Sequence, residues 1–438
     1  MRVRRYWSGL RESFWFVPSL IVALSIGLAI VLIATDSTGP RPWMNHWPRL
    51  FGAGAEGARG MLSTIAGSMM TVVGVTFSMT LVVLALASSQ YTSRILRNFM
   101  RDRITQVVLG IFAGIYVYCL IVLRTIRSTD EGHFIPSLSV LVGVVLAIGG
   151  ISVLIFFIHH IASSIQASTI IASVADETIA AVDRLFPDDL GHALADYDED
   201  RAPSPLPERQ WQGVVATRSG YIQSVDTAAL LRVASNNDAL VRMDRGIGEF
   251  VVAETTLASL AMEQPPAPAV AAALRDAFQI HHHRTVHQDV GFGIRQIVDM
   301  ALRALSPGIN DTTTAVMCVD YLTTILARLA SRPIPSSRRH ESGALRVIAI
   351  GPTFASVLDD AFDQIRSSGG GNTAIMLRML GAVHTIGGLT SSEARRDVLR
   401  DHVQQIAEVA ARTIESPHDR ERVQQRLATV RHGLAPAP

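Results

Sequence analysis

Four long apolar runs occupy the first 160 residues of this chain, and they limit its possible folds more than any other feature. The runs are Phe14 to Ala34, Leu62 to Ala87, Ile104 to Leu123 and Leu138 to Ile158, and none contains Asp, Glu or Arg. At ~1.5 Å per residue, about 20 residues match a hydrocarbon core of about 30 Å. Within lipid, a helix satisfies every backbone polar group in a single segment. The sequence therefore predicts a four-helix transmembrane region, with the first run retained as a span.

The distribution of arginine indicates the orientation of these spans, because the chain contains no lysine. Eight arginines lie before span one or between spans two and three, and five lie in the opposite loops. This bias favours cytoplasmic N and C termini. Four of the eight form a candidate cytosolic mouth: Arg94, Arg97, Arg101 and Arg103. They could act as topology determinants, contact anionic lipid headgroups or attract anions to a vestibule.

Charge, cysteine content and motifs exclude several classes of function. A formal net charge of +1 provides no electrostatic reason to expect a nucleic-acid partner. Cys119 and Cys318 are predicted to lie in different media, which argues against a disulfide framework. The chain lacks a Gly-x-Ser-x-Gly elbow, and a Walker A motif is impossible without lysine. We therefore expect no catalytic residues and no cofactor, and a lipid bilayer and further copies of the chain as partners.

The expected fold is mostly α, with the four-helix transmembrane region joined by a long helical stalk to a cytosolic α+β domain. Helical periodicity continues past span four, so Leu138 to Leu185 is predicted to form one helix about 70 Å long. Such a stalk would couple membrane and cytosol mechanically or merely connect them. The predicted regions are a transmembrane domain (1–160), the stalk (161–186), an acidic proline-rich linker (187–212), a β-rich segment (213–262) and a helical domain (263–438).

The β-rich segment has two short strands around the Ser219–Gly220 turn, a helix over Thr227 to Ala234 and further strands in Ala239 to Leu260. It resembles the barrel-sandwich fold of biotinyl and lipoyl domains, but no lysine is available to carry either group. Helices are predicted after it, with Arg332 to Arg339 as a flexible break. Their ranges are Ala267 to Leu305, as one or two helices broken near His287 to Asp289, then Asp311 to Ala330, Pro352 to Ile365, Thr373 to Ile386, Ser392 to Ile414 and His418 to His432.

Four strings in the chain are long enough to be specific for a family. They are LSTIAGSMMTVVGVTFSMTLVVLALASSQYTSRILRNFMRD, IHHIASSIQ, FGIRQIVDMALRALSPGINDTTTA and GPTFASVLDDAFDQIR. Together they closely resemble an uncharacterised family of predicted bacterial membrane proteins, defined as a domain of unknown function. The resemblance implies four spans and a cytosolic C-terminal domain, and we expect a bacterial chain with this topology to lie in the inner membrane. It implies no activity, substrate or catalytic residue.

Span two carries small and hydroxyl residues at steps of three and four, which places them on one helical face. This face contains Ser63, Gly67, Thr71, Gly74 and Ser78. Small residues permit close approach of helices and hydroxyl groups can hydrogen-bond between them, so the face could serve helix packing. In an oligomer the same face could line a narrow polar pore.

The candidate site in the soluble part lies between Arg284 and Asp311. Arg295, Asp299 and Arg303 recur at four-residue steps beside an apolar stripe. Asn310 and Asp311 end a sharp turn, and Asp311 is a natural N-cap. One interpretation is a charge-paired helical hairpin that supports a bundle or a subunit interface. The other is a pocket in which Arg284, Arg295, Asn310 and Asp311 bind a ligand.

Histidines provide two weaker signals. His159 and His160 at the inner end of span four could sense pH or make interfacial hydrogen bonds. His283 and His287 are four residues apart, but they lack a matched set of carboxylates, so we expect no metal site there. 

The observations lead to two hypotheses of different kinds. The first is a homo-oligomeric ion channel or transport-like pore, bordered by span two and regulated by the cytosolic domain. The alternative is a membrane-anchored sensor or scaffold, whose cytosolic domain binds a small ligand or a protein partner.

Overall fold

A computed structural model describes residues 15–38, 54–90, 102–129, 132–186, 210–341 and 343–435. The chain divides into two compact units, unit 1 up to Gln166 and unit 2 from Ala167 onward. The described part is mostly helical, with a small region of β-sheet in unit 2. Cys119 and Cys318 are both buried and have free thiols.

Unit 1 is built around its third helix. Its described elements are α1 (Phe16–Ser37), α2 (Ala55–Gln90), α3 (Arg103–Thr125), the hairpin β1 (Arg127–Thr129) and β2 (Gly132–Phe134), and α4 (Ser137–Ser164). Helix α3 packs against α1, α2 and α4. Its buried face includes Phe112, Ile115 and Tyr118, so α3 forms the centre of the apolar cluster of unit 1.

Helices α1 and α3 approach closely at a pair of glycines four residues apart. A Cβ atom added at Gly110 would lie 2.9 Å from the Cα of Pro18 and 2.8 Å from the Cδ1 of Ile21. A Cβ atom added at Gly114 would lie 2.5 Å from the Oγ of Ser25. Small residues at such spacing allow helix backbones to meet in lipid, where apolar burial provides no driving force. A side chain at Gly110 would therefore meet the Pro18 backbone, and one at Gly114 would have to displace the Ser25 side chain.

The C-terminal end of α1 is bonded to the N-terminal end of α4. Asp36 Oδ2 accepts hydrogen bonds from the Ser139 backbone N–H at 3.0 Å and from the Ser139 hydroxyl at 2.7 Å. Its Oδ1 accepts a hydrogen bond from the Leu138 N–H at 3.3 Å. A carboxylate is favoured here, because the first N–H groups of a helix lack intrahelical partners and carry partial positive charge. Tyr118 of α3 donates to the Ser139 carbonyl at 2.7 Å, which ties a third helix to this junction.

The predicted continuous helix from Leu138 to Leu185 is wrong, because the helix is interrupted at Ile165 and Gln166. Helix α4 ends at Ser164, and α5 (Ala167–Leu185) begins unit 2. One face of α5 is buried against other helices of unit 2. The apolar periodicity that suggested a stalk therefore reflects core packing.

The β-region of unit 2 begins much as the sequence predicts. It contains β3 (Trp211–Val215), β4 (Gly220–Val225), α6 (Thr227–Asn236), β5 (Leu240–Met243), β6 (Phe250–Val251), β7 (Thr256–Ala261), α7 (Pro268–Asp276), β8 (Phe278–His281), β9 (Arg338–Glu341) and β10 (Ala344–Ile348). The larger sheet has the order β3-β7-β5-β10-β9 and the smaller one the order β6-β4-β8. Strand β10 pairs in parallel with β5, with Val347 opposite Val241.

Strands β8 and β9 begin where the sequence predicted helix or flexible chain, and no prediction covered β10. The helix predicted from Ala267 ends before the predicted break near His287 to Asp289, since Phe278–His281 pairs with β4 as a strand. Arg338 and Arg339, predicted to lie in a flexible break, belong to β9, which pairs with β10. These strands join residues far apart in the chain, so both sheets extend beyond the predicted segment 213–262.

The remaining helices of unit 2 follow the predicted ranges closely. They are α8 (Val290–Ala304), α9 (Thr312–Ala330), α10 (Phe354–Ser368), α11 (Thr373–Gly387), α12 (Glu393–Thr413) and α13 (Pro417–Gly433). Two buried arginines donate hydrogen bonds to carbonyl groups at the ends of helices. Arg332, 4% exposed, donates to the Phe186 carbonyl just beyond α5, and Arg395 of α12 donates to the Ala330 carbonyl at the end of α9.

Five described helices are long and apolar enough to cross a membrane: α1, α2 over Ala55–Ala85, α3, α4 and α9. The first four overlap the predicted spans. Helix α9 meets the same criteria of length and composition with a mean hydropathy of 1.2, whereas the values for the other four lie between 1.9 and 2.9.

Candidate functional site

The small-residue face of α2 is exposed along its described length. Ser63, Gly67, Thr71, Gly74 and Ser78 are all exposed. At Gly67 and Gly74, no described atom lies within 4 Å of an added Cβ. The buried residues of α2 include Leu62, Met69, Thr76 and Val83, and they recur every seven positions. Gly67 of the small face and Met69 of the buried face are two positions apart, which is about 200° around a helix. The small face therefore points away from the buried face.

The exposed face has a more regular pattern than the sequence analysis recognised. Gly60, Gly67 and Gly74 recur every seven residues, and so do Thr64, Thr71 and Ser78. Gly60 and Thr64, which sequence analysis missed, are also exposed. A strict seven-residue repeat is the spacing that keeps one face of a helix against a partner in a left-handed crossing. We call these six residues the small-residue seam.

Hydroxyl groups along the seam are partly satisfied within α2. Thr64 donates to the Gly60 carbonyl at 2.8 Å and Thr71 to the Gly67 carbonyl at 3.1 Å. Each of these hydroxyl oxygens still has lone pairs that can accept a hydrogen bond. The seam therefore offers hydrogen-bond acceptors without a charged group.

Of the predicted arginine mouth, only Arg103 falls within the described residues. It is exposed and is the first residue of α3, whereas Arg94, Arg97 and Arg101 lie outside the described residues. The preceding Asp102 caps α3 by accepting from the Ile104 N–H at 3.1 Å. His160 of α4 lies next to this cap, with Nε2 2.9 Å from Asp102 Oδ2. The two adjacent histidines therefore have different environments: His160 is bonded to the capping residue of α3, whereas His159 is exposed.

In unit 2, Arg284 is held by the carboxylate that caps α8. Its Nε lies 2.7 Å from Asp289 Oδ2 and one terminal nitrogen 2.9 Å from Asp289 Oδ1. Asp289 Oδ1 also accepts from the Phe292 N–H at 3.0 Å. The Asp289 side chain is only 7% exposed, and a bidentate pair of this kind is strong because both partners are charged and planar. The arrangement fixes the loop before α8.

Backbone geometry leaves no room beside this ion pair. Gly248 has a φ of +85°, and an added Cβ would lie 2.6 Å from Asp289 Oδ2 and 2.9 Å from Arg284. Glycine is therefore required there both for its backbone conformation and for space. The Gly248 loop thus closes over the charged pair.

Asp360 of α10 faces the same positive charges. Burial raises its pKa, and the carboxylates of Asp359 and Asp289 raise it further, whereas Arg284 and Arg295 oppose the increase. Arg295 is itself paired with Asp299, with Nε 2.9 Å from Oδ1. The structure thus places Arg284, Arg295, Asp289 and Asp360 within one electrostatic cluster, two members of which were not predicted.

Asn310 and Asp311 belong to the opposite end of α8. Arg284 precedes this 15-residue helix and Asn310 follows it, a separation of about 22 Å along the axis. Arg303 lies in the last turn of α8. Asn310 has a φ of +49° and borders a cleft of about 490 Å³. Other residues lining it are Leu305, Ser368, Gly369, Gly371, Asn372 and Thr373. The predicted residues thus divide between two places.

Asp311 is the N-cap of α9, as predicted. Its Oδ1 accepts from the Thr314 N–H at 3.0 Å and its Oδ2 from the Thr314 hydroxyl at 2.6 Å. These hydrogen bonds hold the pKa of Asp311 below its usual value, with the hydroxyl contact having the largest effect. The carboxylate therefore stabilises the folded state while it is ionised.

Replacing Asp311 with alanine is expected to destabilise the protein by about 1 kcal/mol at pH 7, the usual cost of losing such a cap. Because the folded-state pKa is lowered, this contribution is complete above the unfolded value of ~3.9 and is lost as pH falls through the folded value. Thermal melting of the full chain in detergent should show the deficit at pH 7 and its decrease below about pH 4. Asp311→Asn is the control, since asparagine also caps helices. Equal melting of wild type and Asp311→Ala at pH 7 would contradict this role.

A second cleft, not predicted from the sequence, lies on the larger sheet and has a volume of about 610 Å³. Arg242 stacks on Trp211, with its guanidinium carbon 4.3 Å from the ring centroid. Arg242 also pairs with Asp244 at 2.9 Å, and Asp244 accepts a hydrogen bond from Ser259. These side chains are presented by β3, β5 and β7 or by the turn after β5. The sequence signal for this cleft was weak: Trp211 and Gly213 are two positions apart, so they lie on the same face of β3. Only the pairing of β3 with β7 places them beside Ser259.

His283 and His287 do not lie on a helix. His281 ends β8, and His282, His283 and His287 are exposed in the loop before α8. Gln223 donates to the His283 carbonyl at 2.6 Å, and Arg184 donates to the His287 carbonyl at 2.9 Å. The i,i+4 helical geometry considered for His283 and His287 is therefore absent from the described structure.

Several apolar helices in unit 1, followed by a mixed α and β unit 2, define a helical membrane protein. The chain belongs to the family described as "Predicted membrane protein (DUF2254)", whose profile matches residues 11–385. This confirms the resemblance drawn from the four strings. Similar proteins are uncharacterized proteins of Mycobacterium bovis and of two strains of Mycobacterium tuberculosis. Each is 33% identical over 418 residues, which cover 94% of this chain and 78% of the relative. No solved structure matches the chain.

Proposed function

We propose that this protein is a homo-oligomeric, channel-like protein of the bacterial inner membrane. In this proposal, α2 helices from several copies meet along the small-residue seam and border a narrow polar path, and unit 2 regulates it from the cytosol. The observation that carries the proposal is the exposure of the seam on the side of α2 opposite its buried face.

Self-association accounts for the seam because the chain's own described helices leave it uncovered. Glycine is a poor residue for an isolated helix surface, costing about 1 kcal/mol relative to alanine. Three glycines at seven-residue intervals are instead suited to a partner helix that must approach closely. The hydroxyl groups between them provide polar oxygen atoms along the same line, as a pore lining requires. No carboxylate lies in the predicted span Leu62 to Ala87, so we propose passive permeation rather than proton-coupled transport.

We propose four spans, α1 to α4, with α9 in the cytosol. Helix α9 packs against α5, α8 and α11 of unit 2. It also carries charged residues in ion pairs, Asp320 with Arg378 and Arg328 with Asp183. An even number of spans places both termini on one side, and the arginine bias favours the cytoplasm. We propose no enzymatic activity.

Replacing Gly74 with tryptophan is expected to prevent assembly and abolish solute flux, because an indole ring would occupy the space needed by a neighbouring helix. The protomer should still fold, since no described atom lies within 4 Å of a Cβ at Gly74. Gly149→Trp is the matched control, because Gly149 of α4 is also exposed and has the same free space. Oligomer mass would be measured in detergent and in nanodiscs, and flux in liposomes with entrapped ion-sensitive dyes.

The proposal requires wild type and Gly149→Trp to be oligomeric and permeable, and Gly74→Trp to lose both properties. A monomeric wild type would refute it. Flux that is absent from wild type, or identical in wild type and Gly74→Trp, would refute the channel even if the protein is oligomeric.

The second candidate is a membrane-anchored sensor, and the cleft beside Trp211 favours it. A cation stacked on an indole next to two polar side chains can hold a planar or charged small molecule. In this case unit 1 is an anchor, and Arg242→Ala would alter ligand binding without any effect on liposome permeability. Tryptophan fluorescence with a panel of charged metabolites would identify such a ligand.

A further inference from the structure

Two helices of unit 2 bring two carboxylates and one imidazole together. Asp359 and Asp363 are four residues apart on α10, and His402 lies on the adjoining helix α12. One ring nitrogen of His402 and one carboxylate oxygen from each aspartate all lie within 4.8 Å of one another. Among the described residues, these three side chains are close enough together to hold one metal ion.

The imidazole in this group is buried and incompletely bonded. The side chain of His402 is 1% exposed, and its Nε2 lies 2.9 Å from Asp359 Oδ1. Among the described residues, no hydrogen-bond partner is present for its Nδ1. A buried polar atom without a partner costs free energy, and such atoms in native proteins call for a physical explanation.

A second atom of the group is also incompletely bonded. Asp363 Oδ1 is buried and accepts no hydrogen bond within the described structure. The nearest recorded positive charge is Arg366, with one guanidinium nitrogen 3.0 Å away in an ion pair. The same nitrogen of Arg366 hydrogen-bonds to Gln405, and its contact with Asp363 Oδ1 is an ion pair without hydrogen-bond geometry. Asp363 Oδ1 therefore has lone pairs that no described hydrogen bond uses, and a metal ion would compete with Arg366 for them.

We propose that Asp359, Asp363 and His402 bind a divalent transition-metal ion, with Zn²⁺ as the best match. Zinc accepts imidazole nitrogen and carboxylate oxygen at about 2.0–2.2 Å, which places ligand atoms about 3.4 Å apart in a tetrahedron. The observed separations require only small side-chain movements to reach that geometry. The two negative charges of the aspartates balance the charge of the ion. The Asp359 side chain is 52% exposed, which provides a route from solvent and leaves a fourth position for water.

The alternative to a bound metal ion is a proton on Nε2 of His402. Protonated His402 would form an ion pair with Asp359 through Nε2 and would need no metal. A metal ion bound through Nε2 would replace this ion pair, and in both cases Nδ1–H stays a buried donor without an acceptor among the described residues. The two cases differ in whether a stoichiometric metal ion can be measured.

The test is zinc binding to the full chain in detergent, after treatment with chelator and removal of any affinity tag. Zinc content would be measured by elemental analysis after dialysis, and affinity by competition with a fluorescent zinc chelator. To remove weak surface binding, all proteins would carry His282→Ala and His287→Ala. The test variants are Asp359→Asn and His402→Gln, and the matched control is Asp401→Asn, an exposed carboxylate adjacent to His402 on α12. Melting of the metal-free proteins would confirm that each variant is folded.

We expect one zinc ion per chain and a rise in melting temperature on zinc addition for the parent and for Asp401→Asn. Asp359→Asn and His402→Gln should each weaken binding by about tenfold or more, since even the loss of an outer partner of a metal ligand has that effect. If His402→Gln fails to fold, Asp359→Asn alone is decisive, because its site is at the surface. Absence of stoichiometric zinc from the folded parent, or equal affinity in Asp359→Asn, would overturn the proposal.

Discussion

Replacing Gly114 with leucine is expected to prevent unit 1 from folding. A Cβ atom alone would lie 2.5 Å from the Oγ of Ser25, well inside contact distance, and leucine adds three further carbons. The neighbour is a residue of α1 in the most extensive helix contact of unit 1, so the two helices would have to separate. Overpacking in a rigid core costs typically 1–3 kcal/mol, and loss of the whole α1–α3 contact costs more. We expect no monodisperse protein from detergent extracts.

The seam provides the control for this result. Gly67→Leu adds the same side chain to another transmembrane glycine, but no described atom lies within 4 Å of a Cβ at Gly67. This variant should therefore remain folded as a protomer, even if it loses its oligomeric partners. Size-exclusion chromatography and thermal melting of the two variants side by side would test the difference. Similar behaviour of Gly114→Leu and Gly67→Leu would show that the α1–α3 contact is wrongly assigned.

The second large effect is expected at Gly293, where α8 crosses α5. An added Cβ would lie 2.0 Å from the Oγ1 of Thr178 and 2.9 Å from its Cβ and Cγ2. Thr178 cannot easily move, because it is fully buried and its hydroxyl donates to the Val174 carbonyl at 2.6 Å. Gly293→Val should therefore destabilise unit 2 by about 3 kcal/mol or more, since a bulky residue must separate two packed helices. Thermal melting and limited proteolysis of the full chain would measure the loss.

A double substitution distinguishes this clash from a general effect of helix glycines. Thr178→Ala removes two of the three nearest atoms, so it should partly rescue Gly293→Ala, whereas the two changes would add if they were independent. Gly381→Ala is the control within a helix of unit 2, because the one described atom within 4 Å of a Cβ there is the end of the Arg426 side chain at 3.4 Å. A Gly293→Ala protein as stable as wild type would contradict the predicted contact.

Local patterns predicted much of the helical structure. Apolar length and periodicity are properties of a continuous segment, so the ranges of α1, α3 and α4 follow from the sequence alone. Caps are equally local, which explains why Asp311 was recognised before α9. The error at Ile165 has the same origin, because apolar periodicity continues through the break and cannot distinguish one helix from two.

Long-range pairing limited the prediction of unit 2. Strand β10 pairs with β5 about 100 positions earlier, and β8 pairs with β4 across more than 50. Short segments such as Phe278–His281 acquire strand structure from these partners, since β-propensity depends strongly on context. The candidate metal ligands were not predicted for the same reason, because they are far apart in the sequence. Asp359 and His402 are 43 residues apart, and the packing of α10 against α12 brings them together.

The sequence by itself determined that the chain has several segments suited to a bilayer, the family to which it belongs, and the identity of the small residues on α2. Those properties depend on composition and spacing along a single segment. The tertiary structure decided which glycines are enclosed and which are exposed, since an added Cβ at Gly110 or Gly114 would meet α1, whereas one at Gly67 or Gly74 would meet no described atom within 4 Å. The physical reason is that glycine has no side chain to reveal its neighbour, so only the packing of helices distinguishes an internal contact from a surface available to another chain.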